Sequence, residues 1–321
     1  MSRTDALDHL LARGEALLAQ VERSLQHAWP GPLAAPDWAA SPAFRYRSRH
    51  QRARLEPVTM LSAITLADLK DIDAQKDRLV RNTAQFVQGL PANNVLLTGA
   101  RGTGKSSLIK ACLNAFAAQG LRLIEMDRAD LVDLPDVVSL LAGRPERFIV
   151  FSDDLSFEDG DAGYKALKSV LDGSVAATGD NVLVYATSNR RHLLPEYMKD
   201  NESYTHTAEG EIHPGEVVEE KISLSERFGL WLSFYPFSQA EYLHIVAHWL
   251  QHYGAPFSDD ARNESLVFAL ERGSRSGRVA YQFARDYAGR AAAAAAPQPA
   301  ARAASSAAQA SPAPPTRAPQ P

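Results

Sequence analysis

Between residues 95 and 110 a short run of leucine and β-branched residues, Val95-Leu96-Leu97-Thr98, passes through Gly99-Ala100-Arg101-Gly102-Thr103-Gly104 into Lys105-Ser106-Ser107-Leu108-Ile109-Lys110. No other stretch restricts the possible folds so tightly. Its glycines tolerate left-handed backbone that side chains oppose, so successive N–H groups can be aimed at one point. A helix starting near Gly104 would add its positive dipole end. The run fits G-x-x-x-x-G-K-[ST] residue for residue and has the strand before and the helix after that this pattern requires. The expected ligand is a nucleoside triphosphate. Gly99, Ala100, Arg101, Gly102, Thr103, Gly104, Lys105, Ser106 and Ser107 would cradle it, with Lys105 on the β- and γ-phosphates and the Ser106 hydroxyl on Mg²⁺.

The rest of the chain repeats the alternation of strand and helix. Leu121–Met126, Arg147–Phe151, Asn181–Ala186 and Leu230–Phe234 read as further strands, with helical stretches at Ala74–Gly89, Lys105–Gln119, Leu131–Leu141 and Ala162–Leu171 between them. Strands separated by helices imply an α/β fold with a parallel sheet covered on both faces. At 321 residues, with 45% hydrophobic and 22% charged residues, the chain can bury a substantial core. A net charge of −4 argues against a surface built throughout for nucleic acid. Cys112 is the only cysteine, which excludes a disulfide framework and a cysteine metal site. The charged N-terminus and the absence of a membrane-length apolar run lead to the expectation of a cytoplasmic protein with no membrane association.

Four regions are expected. Residues 1–54 form an N-terminal helical extension, with leucines at helical spacing between Thr4 and His27, followed by a basic linker. In that linker Phe44-Arg45-Tyr46-Arg47-Ser48-Arg49-His50-Gln51-Arg52-Ala53-Arg54 would either track a phosphate backbone or pair with the protein's own acids, the second being favoured. Residues 55–236 form the nucleotide-binding core, interrupted by an acidic insertion at 196–221 whose His206 and His213 are taken as surface residues. Residues 237–290 form a helical lid opened by the capping box Ser238-Gln239-Ala240-Glu241. The alanine- and proline-rich residues 291–321 are expected to be disordered.

Phosphate chemistry needs more than a cradle. Phe148-Ile149-Val150-Phe151-Ser152-Asp153-Asp154 places two acids at the end of an apolar strand, where Asp153 would hold Mg²⁺ and Asp154 would orient the attacking water, with Glu158 in reserve. Asp154 is shorter than a glutamate, which makes fast turnover less certain. Asn189 follows the fourth strand and suits a γ-phosphate sensor, while Arg190 and Arg191 read equally well as surface charge. Arg227, just before the fifth strand, is a candidate cationic finger toward a neighbouring subunit, with an intramolecular ion pair as the competing reading. Arg278, or alternatively Arg275, could carry the lid back onto the nucleotide.

The order and spacing of the phosphate loop, Asp153-Asp154, Asn189, Arg227 and Arg278 resemble the AAA+ P-loop ATPases. More closely, Gly89–Asn94, Phe151–Phe157, Ala186–Leu193 and Ser223–Leu230 resemble a bacterial AAA-like family catalogued only as a domain of unknown function. The resemblance covers about Leu55 to Gly289. It implies a five-stranded sheet in the order 5-1-4-3-2 with a helical lid, ATP rather than GTP, and assembly into a homo-oligomer with Arg227 acting in trans. It also suggests that Ile72 touches the base. The activity it implies is ATP hydrolysis coupled to remodelling of an unidentified macromolecular partner. The alternative is an ATP-gated adaptor or loader, binding DNA or protein, with little hydrolysis.

Overall fold

The computed structural model describes residues 13–21, 33–49, 52–157, 161–173, 180–189, 205–206, 212–213 and 224–295. Its centre is a sheet of strands β1 (Ala43–Arg49), β2 (Arg52–Pro57), β3 (Val95–Gly99), β4 (Leu121–Glu125), β5 (Arg147–Ser152), β6 (Val182–Ser188) and β9 (Leu230–Phe234). Two further strands, β7 (Thr205–His206) and β8 (Ile212–His213), pair antiparallel within the acidic insertion. The sheet order is β2-β1-β4-β5-β6-β3-β9.

This corrects the expected sheet. It has seven strands rather than five, in an order extended by two; the five strands anticipated from the sequence lie side by side as β4-β5-β6-β3-β9, which is 5-1-4-3-2 read from the other edge. The extra pair comes from the basic segment. β1 runs parallel to β4 (Phe44↔Ile124) and β2 returns antiparallel to it (Tyr46↔Leu55). The physical reason is a period of two: Phe44, Tyr46 and Leu55 are buried against the sheet's neighbours, while the intervening arginines point to the other face.

Parallel strands buried on both sides require nearly continuous apolar runs. β3 and β5 have them, Val95 to Leu97 and Phe148 to Phe151 being fully enclosed. Alternate residues face two separate cores. Val95, Leu97, Ile149, Phe151 and Tyr185 meet helices α1 (Asp73–Val87) and α2 (Lys105–Phe116). Leu96, Phe148, Val150, Val184 and Ala186 meet α3 (Leu134–Leu141) and α4 (Ala162–Asp172), with Trp38 and Tyr46 closing the edge.

The lid consists of α5 (Gln239–His252), α6 (Asp259–Glu271) and α7 (Gly277–Ala295). The capping box forms, with Ser238 N donating to Glu241 and Glu241 N donating to Ser238 Oγ. The lid is continuous with the first core through Tyr242, Ile245, Val246, Ala280 and Phe283. α7 runs to Ala295, so residues 291–295 are helical rather than part of a disordered tail, as the helix-forming strength of alanine favours. Of the expected N-terminal helix, residues 13–21 are helical with Leu17, Leu18 and Val21 exposed. Its remainder, and the tail beyond residue 295, lie outside the described residues. Among the described residues no helix is long and apolar enough to cross a membrane.

Candidate nucleotide site

In a parallel sheet the C-terminal ends of the strands lie together, and the loops leaving β3, β5 and β6 therefore converge. Register fixes how closely: Thr98 pairs with Ser188, and Ser152 with Ala186. The loop after β3 can curl because Gly99, Gly102 and Gly104 all have positive φ. Two of these are also steric requirements. A Cβ on Gly99 would lie 1.9 Å from the Phe234 carbonyl oxygen of β9, and one on Gly102 would lie 2.8 Å from Ser276 Oγ of the lid.

Lys105 is buried at the start of α2. Its Nζ donates to the Gly99 and Ala100 carbonyls at 2.7 Å each and to Asn189 Oδ1 at 3.1 Å. Burial lowers its pKa, opposed by the charges of Asp153 and Asp154. Ser106 Oγ donates to Asp153 Oδ1 at 2.5 Å, and Thr187 Oγ1 donates to the same oxygen at 2.5 Å. The Asp154 amide donates to Thr187 Oγ1 at 2.9 Å. Asp154 has φ of 52°, a left-handed conformation that is unusual outside glycine. Its carboxylate accepts from Asn189 Nδ2 and lies 3.8 Å from Arg101. Asn189 thus spans Lys105 and Asp154, linking the loop after β3 to the acids after β5.

A cleft of about 840 Å³ contains these groups. Arg101 through Ser107, Asp153, Asp154, Asn189 and Arg278 line it, as does Ile72. Arg278 arrives from the lid, its amide donating to the Gly102 carbonyl at 3.3 Å. Arg275 is not among the lining residues. Neither is Arg227, whose Nε donates to Asp172 at the end of α4. The intramolecular ion pair weighed for Arg227 is therefore present. Glu158, Arg190 and Arg191 lie outside the described residues.

Sequence reading missed two sets of residues. Thr187, which fixes both acids, belongs to the same Ala-Thr-Ser-Asn run as Asn189. The apolar wall of the cleft is formed by Ile64 and Leu69 from the segment before α1, and by Phe237, Ile245, Trp249, Tyr253 and Tyr281 from the lid. Trp249 and Tyr281 meet edge to face with ring centroids 4.9 Å apart. Their only sequence signal was an apolar helix face.

The basic segment does not join the cleft. Arg45 Nη2 lies 2.7 Å from Glu125, Arg47 Nη1 lies 2.9 Å from Asp127, and Arg54 Nη2 lies 2.6 Å from Glu56. Arg45, Arg47 and Arg54 are thus paired with the protein's own acids, the favoured of the two readings. Cys112 is enclosed on the inner face of α2, where burial pushes the pKa of its thiol up to about 12.

Mg²⁺ fits the donor set at the phosphate end. Ser106 and Asp153 offer hard oxygen donors side by side, the type this ion prefers together with water and phosphate oxygens. Among the described residues no group of three or more His, Cys, Asp or Glu side chains is placed to hold a metal alone.

A glycine-rich phosphate loop after β3 of a mostly parallel sheet, acids after β5 with β6 and its Asn189 between them, and a helical lid define a P-loop fold of the AAA+ type. The chain belongs to the family described as "Protein of unknown function (DUF815)", whose model matches residues 39–291. Among solved structures it is similar to two single-residue variants of Thermotoga maritima RuvB. The first has a TM-score of 0.52 at 16% identity, covering 74% of this chain and 68% of that one. The second has a TM-score of 0.51 at 16% identity, covering 74% and 69%. Aeropyrum pernix ORC1 in complex with DNA gives 0.47 at 15% identity, covering 72% and 65%. At such identities the likeness to RuvB is one of fold. No curated protein matches the chain.

Proposed function

We propose that this protein is an ATPase that binds ATP with Mg²⁺ between core and lid and uses its turnover to rearrange a macromolecular partner in the cytoplasm. The observation that carries the reading is the convergence of Lys105, Ser106, Asp153, Asp154, Asn189 and Arg278 on one cleft, from three strand ends and the lid. The loop N–H groups and Lys105 bind the β- and γ-phosphates, and Lys105 exchanges its carbonyl partners for phosphate oxygens. Ser106 and Asp153 hold Mg²⁺, which when bound neutralises charge on the phosphates. Asp154 orients the attacking water, and Asn189 steers that carboxylate and senses the γ-phosphate. Arg278 adds positive charge from the lid, so that closure and phosphate binding favour one another.

Arg227 acts in trans. It lies away from its own cleft, and transfer of its guanidinium from Asp172 to a neighbour's phosphate would make turnover depend on a homo-oligomer. ATP hydrolysis and nucleotide affinity measured on wild type and Lys105→Ala test the site: loss of both is expected, and unchanged turnover refutes the assignment. A second reading, an ATP-gated adaptor with little hydrolysis, draws support from Asp154, whose short side chain is already engaged by Asn189. ATP-dependent capture of a partner with negligible phosphate release would favour it.

A further inference from the structure

The lid touches the core at a second place, the segment before α1. His244 and His248 lie one turn apart on α5 and face the segment that precedes α1. His244 Nδ1 sits 2.9 Å from one Asp71 carboxylate oxygen and 3.1 Å from the other, and His248 Nε2 sits 3.3 Å from Asp68 Oδ1. A carboxylate only accepts, so these contacts place the ring protons on Nδ1 of His244 and Nε2 of His248.

The receiving segment is held in an unusual shape. Asp71 has φ of 60°, and with Asp154 it is one of two non-glycine residues with positive φ among those described. Such a conformation persists where the surroundings over-determine it. Here they do: Thr65 N and Oγ1 each donate to Asp68 at 2.8 Å, Lys76 donates to the Leu69 carbonyl at 3.0 Å, and His244 grips Asp71. Leu69 and Ile72, which directly follow the gripped Asp68 and Asp71, line the cleft and approach the phosphate loop. A Cβ placed on Gly104 would lie 3.5 Å from Ile72 Cδ1 and 3.6 Å from Leu69 Cδ2.

We propose that His244 and His248 are positioning residues forming a latch, through which lid closure sets the shape of the Leu69–Ile72 segment and thereby the rate at which nucleotide leaves. The latch rests on the nucleotide reading above. It is separate from the Arg278 contact: it joins α5 to the segment before α1 rather than α7 to the phosphate loop, and neither histidine lines the cleft. By linkage, whatever the closed lid contributes to holding the nucleotide, bound nucleotide returns to holding the lid.

The test has two arms. In the first, release of a fluorescent N-methylanthraniloyl ATP in Mg²⁺ is followed by stopped flow. His244→Ala and His248→Ala should each release it about five- to fiftyfold faster. His244→Asn and His248→Gln, which keep a donor near the lost ring nitrogen, should stay closer to wild type. Adding Asp71→Ala to His244→Ala should speed release no further. Unchanged release in both alanine variants, or fully additive effects in the Asp71 pair, overturns the latch. In the second arm, amide exchange of residues 69–72 is measured without nucleotide. Faster exchange there in His244→Ala, with α2 unchanged, is expected; no change overturns the proposal. If wild type fails to bind the analogue at all, the nucleotide reading fails, and the exchange arm still decides the latch.

Discussion

The two ends of the cleft are built on different principles. At the phosphate end every group except Arg278 of the lid sits at or just after a strand end, and main chain or short side chains do most of the holding. At the opposite end, apolar and aromatic side chains from the lid face Leu69 and Ile72. The first end is specified by local spacing and left-handed glycines. The second exists only once α5 and α7 pack on the core. One end can therefore supply charge recognition and chemistry in a fixed frame, while the other supplies contact area that depends on the lid's position.

If that division is right, the largest effects come from the phosphate end. Lys105→Ala removes the only buried ammonium in the described cleft and should weaken ATP binding by at least about a hundredfold, measured by titration calorimetry. Asp154→Asn should leave binding nearly intact while lowering turnover by roughly a hundred- to a thousandfold. Equal losses in binding and turnover for Asp154→Asn would mean that its carboxylate holds the loop through Asn189 and Arg101 rather than orienting water.

Legibility in the sequence followed the same division. The phosphate loop, Asp153, Asp154 and Asn189 were readable because each lies within a few residues of an apolar strand, and parallel strands bring such ends together. Arg278 was readable from its place at the start of a helix after the core. The aromatic wall was not: Trp249 and Tyr281 are far apart in sequence on different helices, and each looks like ordinary core in its own helix. β1 and β2 were missed for a different reason. Their arginines drew attention as chemistry, although Phe44, Tyr46 and Leu55 carried the strand period.

Trp249→Ala tests the lid end at intermediate size. Losing an aromatic wall for a base costs about 1–3 kcal/mol, so affinity should fall by a factor between about five and a hundred. The loss should be the same for ATP and ADP, because Trp249 belongs to the aromatic wall and not to the phosphate loop or its acids, and turnover at saturation should hardly change. A loss confined to ATP would place Trp249 in γ-phosphate sensing and erase the distinction between the two ends.

The smallest effect is expected from Arg45 and Arg47, which the sequence offered as a nucleic-acid track. Both guanidiniums are engaged by acids at the end of β4, and the hydrogen bond to Glu125 raises the Arg45 pKa. The Arg45 side chain is 43% exposed, so each pair is a surface pair worth about 0.2–1 kcal/mol. Arg45→Ala should lower the melting temperature by roughly 1–3 °C and leave nucleotide affinity untouched. Charge released from phosphate gives binding a steep salt dependence, with a slope that falls as cationic contacts are removed. Any DNA binding by the wild type should therefore keep its salt slope in the Arg45→Ala, Arg47→Ala double variant. A slope reduced by about two would return these arginines from the sheet edge to a polyanion surface. It would also add a third functional region to the two ends of the cleft.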